Sequence, residues 1–184
     1  MNATMMIFAA PRRFMTLKLA RSIAGSLGKP SKMPGLSYGI SADLCNVGAK
    51  LASIVGSVCH GCYAMKANYK YPSVKTAHAN RAAGLSSVSW ADAMIRQIEH
   101  SKTDYFRWHD AGDLQSFQPA NLCVRVSAAM IDGKPPAGFE NTSTVHALKP
   151  VQGFACPAPT QGNRCGECRA CWDKTNSNTS YHVH

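Results

Sequence analysis

The chain has no apolar run approaching the roughly 20 residues that a membrane-spanning helix needs, so nothing in it predicts a bilayer span. Acidic residues are scarce: 10 Asp and Glu stand against 20 Lys and Arg, for a net charge of +10. That shortage predicts attraction to nucleic acid or another acidic partner, weakened by salt. Residues 1–42 hold no Asp or Glu at all, only Arg12, Arg13, Lys18, Arg21, Lys29 and Lys32. Such an arm suits phosphate binding, an organelle-targeting segment or a solvated basic terminus. A secretory leader is not predicted, because the apolar stretch Met5–Ala10 is short and the arginines follow it. No internal repeat is present.

What the chain does contain is enough apolar material for one domain with a core: 184 residues, 45% hydrophobic. A basic amphipathic helix is predicted over Phe14–Leu27, closed by Gly28 and Pro30. A loop-rich stretch over 31–62 allows one helical turn near Ala49–Ile54. Pro72 suits a helix start, running through Ala83. Ser89 precedes Trp90, Ala93, Met94 and Ile98 at helical spacing, which predicts a helix to about His100. Tyr105–His109 alternates aromatic and polar residues as a short strand and ends in a tight loop. Leu122–Ser127 carries β-branched residues in alternation and predicts a second strand. Pro135, Pro136 and Gly138 mark a loop. The expected organisation is a basic arm or helix over 1–30, an α/β domain over 31–150 and a Cys-rich metal- or cluster-binding tail over 151–184.

Eight cysteines are many for this length. Three of them, Cys165, Cys168 and Cys171, are separated by two residues each, a clustering that resists pairing into distant disulfides and favours metal in a reducing compartment. Cys156 is followed by Pro157, as the remote cysteine of a bacterial ferredoxin run is. Four thiolates so spaced suit a 4Fe-4S cluster. Zinc is the alternative, since four cysteines also close a tetrahedral site, although such sites usually pair two close cysteines with a second distant pair. Without a centre of this kind, a tail so poor in apolar periodicity has little to order it. The second group is Cys45, Cys59 and Cys62. Three thiolates can hold three irons of a cubane and leave the fourth open; they can also bind a metal with His60 or a tail cysteine. The plainer reading makes Cys45 a buried small residue and Cys59/Cys62 half of a zinc site. Cys123 lies among apolar residues and reads as core.

Titratable groups concentrate in Arg107-Trp108-His109-Asp110-Ala111-Gly112-Asp113. At the carboxyl end of a strand, His109, Asp110 and Asp113 are candidates to contact a substrate or a cofactor amine; Asp110 and Asp113 can equally cap backbone amides in a turn. Arg125 and Ser127, alternating with Val124 and Val126, are candidates to line the same crevice and bind a cofactor.

Ser37-Tyr38-Gly39-Ile40, Val58-Cys59-His60-Gly61-Cys62-Tyr63-Ala64, Phe106 to Ser116 and Cys165–Trp172 together resemble the phage gene product 88 family, from about Lys32 to the C-terminus. Its cysteine motif ending in Cys-Tyr-Ala is similar to that of radical S-adenosylmethionine proteins. The resemblance implies a cluster at Cys45, Cys59 and Cys62, with the Asp110–Asp113 loop near it and S-adenosylmethionine as a ligand. The tail would then carry an auxiliary cluster. The gap from Cys45 to Cys59 is longer than in such enzymes, and the stretch after Ser116 is short for the family. A full β/α barrel does not fit, so the expected fold is an incomplete β/α-barrel-like α/β domain with an irregular Cys-rich end. The expected role is redox or degenerate radical-enzyme chemistry in the cytoplasm of the bacterial host. The rival is a zinc-stabilised nucleic-acid-binding protein that uses the basic arm.

Overall fold

The computed structural model describes residues 14–57, 59–130, 142–146, 153–162, 164–173, 175–176 and 178–182. The apolar stretch Met5–Ala10, Arg12, Arg13 and the loop at Pro135, Pro136 and Gly138 lie outside the described residues.

The first helix, α1 (Leu17–Ala24), starts where the Thr16 hydroxyl accepts the amide N–H of Leu19, a cap that satisfies one otherwise orphaned donor. It stops at Gly25, whose φ of 73° takes it out of the helical region. Its small residues Ala20 and Ala24 are buried, which lets it pack closely against α4 (Trp90–Ser101). Gln97 of α4 donates to the carbonyl of Gly25, and Arg96 donates to that of Met15. The basic residues Lys18 and Arg21 stay on the exposed face. Residues 17–24 are therefore part of the core and not a detached arm.

Strand β1 (Leu36–Tyr38) pairs in parallel with β2 (Phe106–Trp108), Ser37 standing opposite Arg107. Parallel neighbours require a long crossover. Here it contains α2 (Gly48–Leu51), α3 (Pro72–Gly84) and α4, with short 3-10 turns at Tyr63–Met65 and Ala67–Lys70. α3 begins at Pro72 and α4 at Trp90, close to the expected positions, although the Ser89 side chain makes no capping hydrogen bond. Trp90, Tyr38, Ile40, Met94 and Val126 fill the core completely buried. The Tyr38 and Trp90 rings meet edge to face at 5.2 Å, an orientation that aromatic quadrupoles favour.

One predicted element is overturned. Leu122–Ser127 lies within a helix, α5 (Phe117–Met130), and is not a strand. Leu122, Cys123 and Val126 fall on one side of that helix and pack on the core, so tertiary packing overrides the local β-preference of Val and the alternation that suggested a strand. Pro119 sits in the first helical turn, where no amide partner is lost. The polar strand face that made Arg125 and Ser127 candidates therefore does not exist. Arg125 is exposed on the helix, and nothing is described of the Ser127 side chain.

The tail adds a parallel three-stranded sheet in the order β3 (Thr142–His146), β5 (Asn178–His182), β4 (Phe154–Ala155). Among the described residues the strands close no barrel. The tail docks on the domain through Trp172, which donates to the Phe106 carbonyl at 3.3 Å, and through the Cys165 amide, which donates to Lys32 at 3.1 Å.

Candidate functional site

Both two-residue cysteine motifs are closed by the same local device. The Cys62 amide donates to the Cys59 carbonyl and the Cys168 amide to the Cys165 carbonyl, each at 3.1 Å. Inside these turns Gly61 and Gly166 have φ of 67° and 53°, the left-handed region that side chains disfavour. Sequence alone thus bends each pair of thiols toward one side.

Bringing in the third thiol of the first group needs tertiary structure. Cys45 closes the Ala42–Leu44 turn, its amide donating to the Ala42 carbonyl at 3.1 Å, and its own carbonyl accepts from Ala49 in α2. Measured from the point where a Cβ on Gly48 would stand, the Cys59 sulfur is 3.4 Å away and the Cys45 sulfur 3.8 Å. A larger residue at position 48 would push between them. Burial raises the Cys45 thiol pKa; negative charge on Asp113, Cys62 and Cys59 adds to this, while the Asp113 backbone hydrogen bond opposes it. The three cysteines and Asp113 are therefore electrostatic neighbours.

The four tail cysteines also converge. Cys156, Cys165, Cys168 and Cys171 line one cavity with the apolar side chains of Phe154 and Pro157, enclosing about 260 Å³ of empty space including the open mouth. Burial raises the Cys165 thiol pKa, Arg107 pulls it down, and Cys156 pushes it up again. No disulfide joins any of the eight cysteines. Among the described residues, no three His, Cys, Asp or Glu side chains stand close enough to hold a single metal ion. Cys123 packs against the core with its thiol pushed up to about 12 by burial, and is no ligand of either group.

The loop after β2 lies beside the first cysteine group. The His109 amide donates to the Tyr38 carbonyl, and the Ile40 amide to the Ala111 carbonyl, so the loops after β1 and β2 are stitched together. His109 itself has φ of 52°, a strained setting for a residue with a side chain. Both of its ring nitrogens, and Oδ1 of Asp110, are shielded from solvent without a hydrogen-bond partner among the described residues. Leaving such groups unpaired costs about 1–3 kcal/mol each, which marks this loop as a place where a ligand would be welcome. Burial lowers the His109 pKa, against the pull of Asp113 and Asp110, so its imidazole favours the neutral form.

Sequence reasoning missed the residues that frame this loop. Tyr63 donates its hydroxyl to the Asp110 carbonyl at 2.7 Å. Arg81 of α3 is buried, donates to the carbonyls of Ser26 and Gly39, and senses the charge of Asp110. Burial raises the pKa of Tyr63 and of Cys165, and the charge of Arg107 opposes that rise at both. A strand alternation placed Arg107, but nothing local announced that its charge would reach both.

Fold and site define a protein of helices and short parallel strands with two groups of thiols, one beside the loop after β2 and one in the tail. The match that gives it a family is to Gene product 88, over residues 15–129. The chain belongs to this phage family. The matched span includes Cys45, Cys59, Cys62 and the 109–113 loop, and it ends before the tail cysteines. No curated protein matches the chain, and no solved structure does. No helix among the described residues is long and apolar enough to cross a membrane.

Proposed function

We propose that this chain is an iron–sulfur protein, with a 4Fe-4S cluster held by Cys156, Cys165, Cys168 and Cys171. One observation carries the reading above the rest: four thiols that are spread over the tail sequence line a single cavity with apolar walls. Two tight turns and the β4–β5 pairing, where the Cys156 amide donates to Ser180, hold them there. Cys45, Cys59 and Cys62 would hold a second centre and leave one of its irons without a protein ligand. Such centres supply one-electron transfer, tuned by burial and nearby hydrogen bonds. Arg107 would stabilise the anionic state of the tail centre, and the Asp113 amide would do the same at Cys45.

His109 and Asp110 would face whatever small molecule enters beside the first centre, the neutral imidazole offering one donor and one acceptor. An incomplete β/α-barrel-like domain, which the β1–β2 pair and its helical crossover suit, would present these loops at the carboxyl ends of its strands. A cluster held by Cys45, Cys59 and Cys62 would have one iron open to an outside ligand, for which S-adenosylmethionine is a candidate. The setting would be the reducing interior of the infected bacterium, where thiols persist.

Protein purified without oxygen decides the matter. The expected result is a brown sample with about four irons and four acid-labile sulfides per filled site. Cys165→Ser/Cys168→Ser should remove the tail share and leave the other intact. A colourless protein carrying zinc would overturn the reading in favour of a zinc-stabilised one. Incubating the same reduced sample with S-adenosylmethionine and finding no cleavage would leave a redox protein without radical chemistry.

A further inference from the structure

We propose that the surface formed by Tyr63, Lys66, Lys70, Tyr71 and Lys75 binds single-stranded nucleic acid across the mouth of the Cys45, Cys59 and Cys62 group. From Cys45 to Ala91 the chain carries Lys50, Lys66, Lys70, Lys75 and Arg81 and not one Asp or Glu. Arg81 is spent inside the fold, but Lys66, Lys70 and Lys75 are all exposed. Asp110, whose backbone carbonyl the Tyr63 hydroxyl reaches, turns one carboxylate oxygen away from solvent. The positive field of this face is therefore uncompensated by its own sequence.

Charge by itself would attract any anion. Two tyrosines make the surface more selective: Tyr63 is 52% and Tyr71 57% exposed, at either end of the lysine-bearing turns. An aromatic ring normally seeks burial, and these stand in water among ammonium groups. Tyr63 is held in place by its hydroxyl bond to Asp110 and by its edge contact with Tyr69 at 5.8 Å, so its ring is ordered before anything binds. Lysines that track a phosphate backbone and rings that accept stacked bases are the two parts of a sequence-tolerant single-strand site. A duplex keeps its bases stacked on each other and could use only the lysines. An acidic peptide could likewise use only the charge.

The surface runs into the cysteine group. Tyr63 follows Cys62 directly, and the Lys66 ammonium stands 3.3 Å from where a Cβ on Gly61 would be, folded over the Cys59–Cys62 turn. A strand bound here would pass that turn. The inference does not depend on what the thiols hold.

The test is fluorescence anisotropy of the full chain with a labelled oligothymidylate, titrated over salt. Replacing the three lysines by Ala should reduce the slope of log K against log salt by about 2, since each neutralised phosphate of a single strand contributes about 0.7. Tyr71→Ala should weaken binding about 5- to 150-fold with the slope unchanged, because a lost stack is worth about 1–3 kcal/mol; Tyr71→Phe should restore it. Thermal melts of the same variants confirm that each is folded. Three results would overturn the proposal: duplex bound as tightly as single strand, affinity lost only when residues 1–13 are removed, or polyglutamate or anionic vesicles competing as well as the oligonucleotide.

Discussion

At the scale of single residues, environment separates cysteines that look alike on paper. Cys123 sits on the buried side of α5, and its thiol, pushed up to about 12, is almost never a thiolate near neutral pH. Because the thiolate is the reactive form, native protein treated with iodoacetamide should label Cys123 last, and only when the chain is unfolded; rapid labelling of Cys123 in the folded state would contradict its place in the core. The two-residue cysteine spacings, by contrast, were legible at once, since a turn of four residues is decided by those four residues. His109 shows the opposite case. Its residue type flagged it, but the burial that favours its neutral imidazole, and the absence of partners for its nitrogens among the described residues, come from Tyr38 and from loops far away in sequence.

At the scale of elements, the helices that carry a strong local signal appear where expected. α3 starts at its proline, and α4 buries the helically spaced Trp90, Ala93, Met94 and Ile98. Within α5, Leu-Cys-Val-Arg-Val-Ser satisfies a strand alternation and a helix face equally well, so its local pattern does not separate the two. The choice was made by the core, where α5 meets α4 and Leu122, Cys123 and Val126 join one hydrophobic cluster. The two faces of these helices should differ sharply in cost. Met94→Ala, at a fully buried position, is expected to lose about 2–5 kcal/mol of stability, while Arg125→Ala on the exposed face should stay within about 0.5 kcal/mol. Urea unfolding of both variants measures the difference, and a costly Arg125→Ala would return that residue to the site.

At the scale of the whole molecule, a buried histidine, His78, and a half-buried one, His109, tie stability to pH. Burial first, and Arg81 second, lower the pKa of His78, with Asp110 opposing; His109 is lowered by burial as well, with Asp113 and Asp110 opposing. An unfolded histidine takes up its proton near about 6.5. Below that value the unfolded chain binds protons that the folded chain refuses, so this contribution is complete above about pH 6.5 and is lost as pH falls through the lowered folded values. The urea midpoint should therefore drop between about pH 7.5 and about pH 5, and His78→Gln should flatten the drop. An unchanged slope in that variant would mean His78 is solvated.

The sequence by itself determined the cysteine turns, the limits of α3 and α4 and the basic character of the chain, because each rests on residues within a few positions of one another. Only the tertiary structure decided that Cys45 meets Cys59 and Cys62, that Cys156 joins Cys165, Cys168 and Cys171 round one cavity, and that the charge of Arg107 reaches both Tyr63 and Cys165. Those placements depend on a parallel strand pairing and a docked tail. Contacts between distant segments are selected by the packing of the whole chain, which no local pattern records.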